Sequence, residues 1–240
     1  MRVKTHLGKL TRREFRERME SGELQACIIP VAAIEQHLEH LAMEHDWRSV
    51  NIVAEAVAVR LAPQVIVAQG VMAGVSEHHM THPGTLTLRP GTFLSVLNDL
   101  IRSTVEAGFT NVLVLNGHGG NIVPCQSNWD QFLREFQVNL HFLSYWDTLG
   151  KEEALLLKGG RRIPADLPGH AQEFETSVAL ARFPENVDHQ AMSEQADQAP
   201  SLATPELGEE MLSRTVDRVT DFVSGMIDGR HSQPIPQFMP

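Results

Sequence analysis

Residues 27–46, CIIPVAAIEQHLEHLAMEHD, change character part-way along. The first eight are apolar or proline, and residues 34–46 then carry four acids and three histidines. A strand buried on both faces reads as a continuous apolar run, as in a parallel sheet. CIIPVAAI is therefore read as a buried strand. A plain surface loop has no need of so many ligand-type side chains, so the strand is expected to end in chemistry.

The same pattern recurs outward from this stretch. QVIVAQGV (64–71), NVLVLN (111–116) and VNLHFLSYW (138–146) read as further apolar strands. Helical spacing fills the intervals. Thr11 and Glu14 are spaced as a capping box, which predicts a short helix through Met19. A second helix starts at Asp46, with Val50, Val53, Ala54, Val57 and Leu61 on its apolar face, and stops before Pro63. Others are expected over about 92–107, ended by Gly108, and over about 122–137. Residues 72–90 are rich in His, Gly and Thr and read as a long loop or hairpin, in which THPGTLTL offers a Pro-Gly turn followed by strand-like alternation. After Trp146 a loop with a short helix is expected to 167, then helices over 170–183 and 206–227, an irregular excursion over 186–205 and a Pro-rich tail. Strands alternating with helices predict an α/β fold with a largely parallel sheet covered on both faces. Ligands then lie beyond the carboxyl ends of the strands, where Glu35, His37 and His118 fall.

Composition narrows the class. The net charge is −10, and no run of Lys and Arg appears, which argues against nucleic acid and anionic membrane as partners. No apolar run is long enough to span a bilayer and the first residues lack an apolar leader core, so a cytoplasmic protein is expected. Cys27 and Cys125 are not in C-x-x-C spacing and read as reduced thiols in or near the core.

Three clusters carry the chemistry. Glu35 and His37 are two apart, so on an extended chain they project to one side. Asp46 follows at a helix start, where Asp is also a favoured N-cap. NVLVLNGHGGN presents His118 on a tight glycine turn after a strand. It lacks the Lys of a phosphate loop and the spacing of a dinucleotide fingerprint. PGHAQEFETS supplies His170, Glu173 and Glu175. Glu175 shares a helix face with Ala171, Val178 and Ala179, which suits close packing, and Glu173 neighbours Thr176 and Ser177. Glu175 is therefore expected inside and Glu173 nearer a rim. Histidines and carboxylates without cysteine suit zinc, manganese or another divalent ion, and several carboxylates suit a two-metal site.

PVAAIEQH, the following HL…D, the PGT turn at 83–85, LVLNGHGGN and GHAQEFETS come in the order found in the creatininase family. Over residues 28–181 the chain resembles these metal hydrolases. The resemblance implies a three-layer α/β/α fold, here one domain over 1–240, commonly a homohexamer, with two divalent ions, Zn and/or Mn, per subunit. It implies that Glu35 and His118 bind one metal and His37 the other, that Asp46 bridges them, and that His170 is catalytic. A glutamate ligand of creatininase falls at Gly120 here, and Glu175 is taken as its replacement. The chain also departs from the family at EQHLEHLA, at His45 in place of a usual Thr, and at Leu167 in place of an aspartate, which sets creatinine itself aside as an assured substrate. The expected activity is hydrolysis of a C–N bond in a small polar amide, cyclic amide or formamide by a hydroxide bridging two metals. Opening of a cyclic ketone or lactone, or metal-dependent ligand binding without catalysis, are the alternatives.

Overall fold

The computed structural model describes residues 3–158 and 167–237. Residues 159–166 of the expected loop, and the last three of the tail, lie outside it.

Four strands form one sheet: β1 (Ala26–Val31), β2 (Val65–Val67), β3 (Asn111–Asn116) and β4 (Asn139–Ser144). Their order is β2-β1-β3-β4 and every pairing is parallel. Side chains alternate faces along a strand, and here the alternation divides two cores. Ala26, Ile28, Val65, Val67, Leu113 and Leu115 face one core; Cys27, Ile29, Val31, Ile66, Val112 and Val114 face the other. Both faces are dry along β1, β2 and β3, which explains their unbroken apolar runs, while the edge strand β4 is half-buried.

The first core is covered by α2 (His45–Arg60), α6 (Glu173–Arg182) and α8 (Pro205–Ile227). The second is covered by α3 (Pro90–Glu106) and α4 (Ile122–Phe136), with α1 (Arg12–Glu20) at its edge through Phe15 and Met19. This is the three-layer α/β/α arrangement. The capping box forms as expected: Glu14 N–H donates to Thr11 Oγ1 at 3.2 Å and Thr11 N–H to Glu14 Oε2 at 2.7 Å. Both cysteines are buried and free, and burial pushes each thiol up to about 12. Among the described residues no helix is long and apolar enough to cross a membrane.

The chain leaves β1 through α2 to reach β2 on one side, then crosses through α3 to β3 on the other. Such a reversal opens a crevice at the carboxyl ends of β1 and β3. Several expected elements differ. β2 holds only three residues, after which the chain touches the sheet again through a single bridge between Val71 and Val31. THPGTLTL forms no strand; Gly84 takes the turn with φ +100, and Leu86 makes one bridge to Ile34. The excursion over 186–205 contains α7 (His189–Glu194), capped by Asp188. Between β4 and α6 a short helix, α5 (Lys151–Ala154), is held by buried Glu153, which accepts from Gly150 N–H at 2.7 Å and pairs with Arg214 and Arg218 of α8.

Candidate metal centre

Glu35, His37, Asp46, His118, His170 and Glu175, all singled out in the sequence, converge on that crevice. β1 ends at Val31, and residues 32–37 continue as an extended connection rather than a strand end. Glu35 and His37 are both buried. Asp46 is not an N-cap: Glu44 holds that position, and Asp46 sits in the first turn of α2, buried. His118 follows β3, with Asn116 organising its turn by accepting from His118 N–H and donating to its carbonyl.

The two oxygens of Asp46 face two imidazoles. Oδ1 lies 3.0 Å from His37 Nε2, and Oδ2 lies 3.0 Å from His118 Nδ1. Glu35 Oε2 is 3.3 Å from His118 Nδ1, and Glu175 Oε2 is 3.7 Å from His37 Nε2. The outer nitrogens are occupied too: His37 Nδ1 meets the Glu35 carbonyl at 3.0 Å, and His118 Nε2 meets the Val75 carbonyl at 2.9 Å. Each ring therefore faces acceptors on both sides. A neutral imidazole carries one N–H and cannot satisfy both.

A second proton resolves this when no cation is present. Burial opposes the charge on His37, but Asp46 overrides it and holds the ring up at about 9. Burial likewise opposes charge on His118, and the hydrogen bonds it donates to Asp46 and Glu35 raise it to about 10. Asp46, despite burial, is held well below the usual carboxylate range by His37 and His118. Glu175 is pushed up, chiefly by burial. A divalent cation would satisfy the same inward lone pairs, with the outer N–H groups still donating to carbonyls. The donor separations of 3.0–3.7 Å suit neighbouring ligands at metal bonds of roughly 2.0–2.2 Å. Glu35, His37 and Asp46 form one trio whose donor atoms lie within 4.8 Å of one another, and His37, His170 and Glu175 form another. The residues fit a metal centre.

The sequence singled out no individual side chain in the rest of the surroundings. The 3-10 turn Glu77–His79 brings His78 and His79 to the crevice. Ser76 donates its hydroxyl to Glu35 Oε2. His79 stacks on His170, with centroids 4.4 Å apart, and His78 lies nearly parallel to His118 at 5.7 Å. Asn121 ties the loop to the sheet by accepting from Val75 N–H and donating to the Ala32 carbonyl. The run Ser76-Glu77-His78-His79 was the available signal. Gly120 is obligatory here: a Cβ would lie 2.0 Å from the Val75 carbonyl oxygen and 2.9 Å from His78 Cε1, so no acidic side chain fits.

The second acid of α6 is a correction. Glu173 is as buried as Glu175, at 3% against 4% exposure, and is not at a rim. Its Oε2 accepts from Lys158 N–H at 2.7 Å. Its polar neighbours are buried as well: Ser177 donates to the Glu173 carbonyl, and Thr176 contacts both His40 and the Ala171 carbonyl. The helix begins at Glu173, so His170 stands in the preceding turn, with Ala171 left-handed at φ 53. His45 packs beside His37 with centroids 5.1 Å apart and the rings tilted by 45°, and its Nδ1 has no hydrogen-bond partner among the described residues. Burial pushes it down to about 3, so it is a neutral backing ring. A cavity of about 340 Å³ opens over Glu35, Asp46, His118, His170 and Glu175, with Trp146 in its wall.

Residues 8–201 match the family model described as creatininase, creatinine amidohydrolase. The chain belongs to the creatininase family. Among its creatininase-family relatives, the creatinine amidohydrolase of Pseudomonas putida is 29% identical over 76% of this chain and 73% of its own. The 3-dehydro-scyllo-inosose hydrolase of Thermotoga maritima is 31% identical over 73% of this chain, but only 55% of that protein is covered. The mycofactocin precursor peptide peptidase of Mycolicibacterium smegmatis is 29% identical, with 67% and 59% covered. A crystal structure of creatinine amidohydrolase superposes with TM-score 0.82 at 25% identity, covering 96% of this chain and 99% of that one. A zinc–zinc form of a creatininase mutant gives 0.80 at 25%, covering 93% and 98%. The protein is thus a creatininase-family hydrolase with a cluster of metal-binding residues.

Proposed function

We propose that this hydrolase is dinuclear and cleaves a C–N bond in a small amide, cyclic amide or formamide. The observation that carries the reading is the shared carboxylate, with Asp46 Oδ1 on His37 and Oδ2 on His118. Glu35 and His118 would hold one divalent ion, and His37 and Glu175 the other, with Asp46 common to both. Zinc and manganese both suit this nitrogen and oxygen donor set. Two such ions, held there, would supply an acidified water and polarise the carbonyl under attack.

The chain's own groups do the rest. Outer carbonyls fix His37 and His118 in orientation, and Ser76 fixes Glu35. His170, with Nδ1 3.6 Å from Glu35 Oε1 and part of its ring in the cavity, carries a proton to the departing nitrogen. Burial and the cationic His37 push its pKa down to about 4 in the metal-free chain. The cavity volume restricts the substrate to a small molecule or a chain end. A second reading, opening of a cyclic ketone or lactone, draws support from the relative named as an inosose hydrolase.

The test is a hydrolysis screen of metal-loaded protein against cyclic amides, linear amides, formamides and cyclic ketones, with His170→Ala as blank. Turnover confined to one amide class supports the first reading, and turnover only of ketones selects the second. Equal rates in wild type and blank throughout would remove the catalytic role of His170. One catalytic unit spans the chain in this proposal, and a homohexamer is the expected assembly. Light scattering should give six times the 26.7 kDa chain mass, and a monomer at micromolar concentration would rule the hexamer out.

A further inference from the structure

Two consecutive histidines of the 3-10 turn Glu77–His79 take different neighbours. His79 stacks on His170, with centroids 4.4 Å apart and the rings 20° from parallel, and its Nδ1 lies 2.7 Å from Gln36 Nε2. His78 lies beside His118 instead, 5.7 Å away with the rings 16° from parallel. His78 lines the cavity over Glu35, Asp46 and His118, yet its ring makes no hydrogen bond or ion pair among the described residues.

Position 120 makes room for that ring. A Cβ on Gly120 would lie 2.9 Å from His78 Cε1 and 2.5 Å from His118 Nε2, so the glycine lets both imidazoles share one wall. The outcome is a donor set. Glu35, His78 and His118 each bring a donor atom within 4.8 Å of the other two. Glu35 Oε2 is 3.3 Å from His118 Nδ1, and Asp46 Oδ2 is 3.0 Å from the same nitrogen. Glu35, Asp46 and His118 are buried and meet an ion from inside the fold, whereas His78 is exposed and meets it from the solvent side.

Glu35 also belongs to a trio with His79 and His170. The two trios compete for one carboxylate. The trio with His78 contains His118, which brings Asp46 with it, and so gathers the larger donor set. Zinc in proteins favours four donors, of which Glu35, Asp46 and His118 give three. His78 gives up no hydrogen bond by becoming another.

We propose that His78 is a further side-chain ligand of the ion held by Glu35, Asp46 and His118, closing it on the solvent side. The inference rests on that ion, as assigned in the function proposed above, and not on the ion of His37 and Glu175.

The experiment measures zinc affinity of the full-length protein by competition with a chromophoric chelator, for wild type, His78→Ala, His78→Gln and His79→Ala. The expected result is two zinc ions per chain in wild type, one of them bound about 100-fold or more weakly in both His78 variants, since groups that merely support a ligand already cost 10–100-fold. Glutamine hydrogen-bonds as an imidazole does but is a poor zinc ligand, so its failing with alanine separates ligation from a hydrogen-bonding role. His79→Ala should keep both affinities. Wild-type affinity at both positions in either His78 variant overturns the proposal. A loss confined to His79→Ala overturns it too, and hands Glu35 to the trio with His170. The dinuclear reading fails separately: wild type holding a single zinc ion overturns that reading, and the His78 comparison is then made on the one ion. Wild type that takes up no zinc overturns both.

Discussion

Asp46→Ala should empty both metal positions at once. Each Asp46 oxygen faces a different imidazole, so on the proposed dinuclear reading one truncation would remove a ligand from two ions. Elemental analysis after metal loading should fall from two equivalents toward none, and hydrolysis should drop by about 1,000-fold or more, because metal activation supplies several kcal/mol of transition-state stabilisation. Collapse of the fold is a rival explanation for such a loss. Asp46→Asn separates the two, since it keeps the shape and position in α2 but offers one neutral oxygen where two anionic ones stood. It should melt cooperatively and still bind less metal. Two equivalents retained in Asp46→Ala would remove the shared-ligand assignment.

The two acids of α6 give the second large effect. Glu175→Gln should lose one equivalent, with affinity at that position more than about 100-fold weaker, since even residues that only support a ligand cost 10–100-fold. Activity should fall with it. Glu173→Gln should keep both ions. Its Oε2 accepts from Lys158 N–H, so the substitution bears on how residues 155–158 are held against α6, and the cost is about 1–3 kcal/mol of stability if that donor is left unpaired. Metal content and thermal melting, measured on both variants, check the pair together. Metal lost from Glu173→Gln and kept in Glu175→Gln would reverse the assignment of the helix faces.

The sheet was legible because three of its four strands are dry on both sides. Runs such as NVLVLN have no polar face to confuse them with an amphipathic helix. The strand-end position of the chemistry followed from the α/β alternation alone. What stayed hidden depends on contacts between distant segments. Glu173 sits among Thr176 and Ser177, which read as a wet face; α8 covers that face so tightly that a Cβ on Gly208 would lie 2.0 Å from the Ser177 carbonyl oxygen. Nothing in helical periodicity reports such a neighbour. His78 and His79 were equally opaque, because a loop's residues acquire a direction only when it docks. Here Asn121 and Ser76 do the docking, from 46 and 41 positions away from their partners Val75 and Glu35. The alternation read into THPGTLTL failed for a related reason: Leu86 finds one backbone partner, and a lone bridge does not propagate a ladder.

The dispersal of the ligands along the chain gives the centre a mechanical side. Asp46 and His118 are 72 positions apart, and Glu175 arrives from the far end of the fold on α6. A cation held by all of them would act as a rivet through the first crossover, the third strand and the C-terminal helical layer. Ions that bind only the folded chain stabilise it by mass action, about 2.7 kcal/mol when free metal stands 100-fold above its dissociation constant. The parallel ladders of β1, β3 and β4 do not depend on that rivet, whereas the seam between α6 and the residue 35–46 segment, otherwise held by apolar packing and the His40–Thr176 hydrogen bond, would gain from it. Chelation would therefore loosen the fold along that seam first, and the metal supply would govern how long the protein lasts as well as how fast it works.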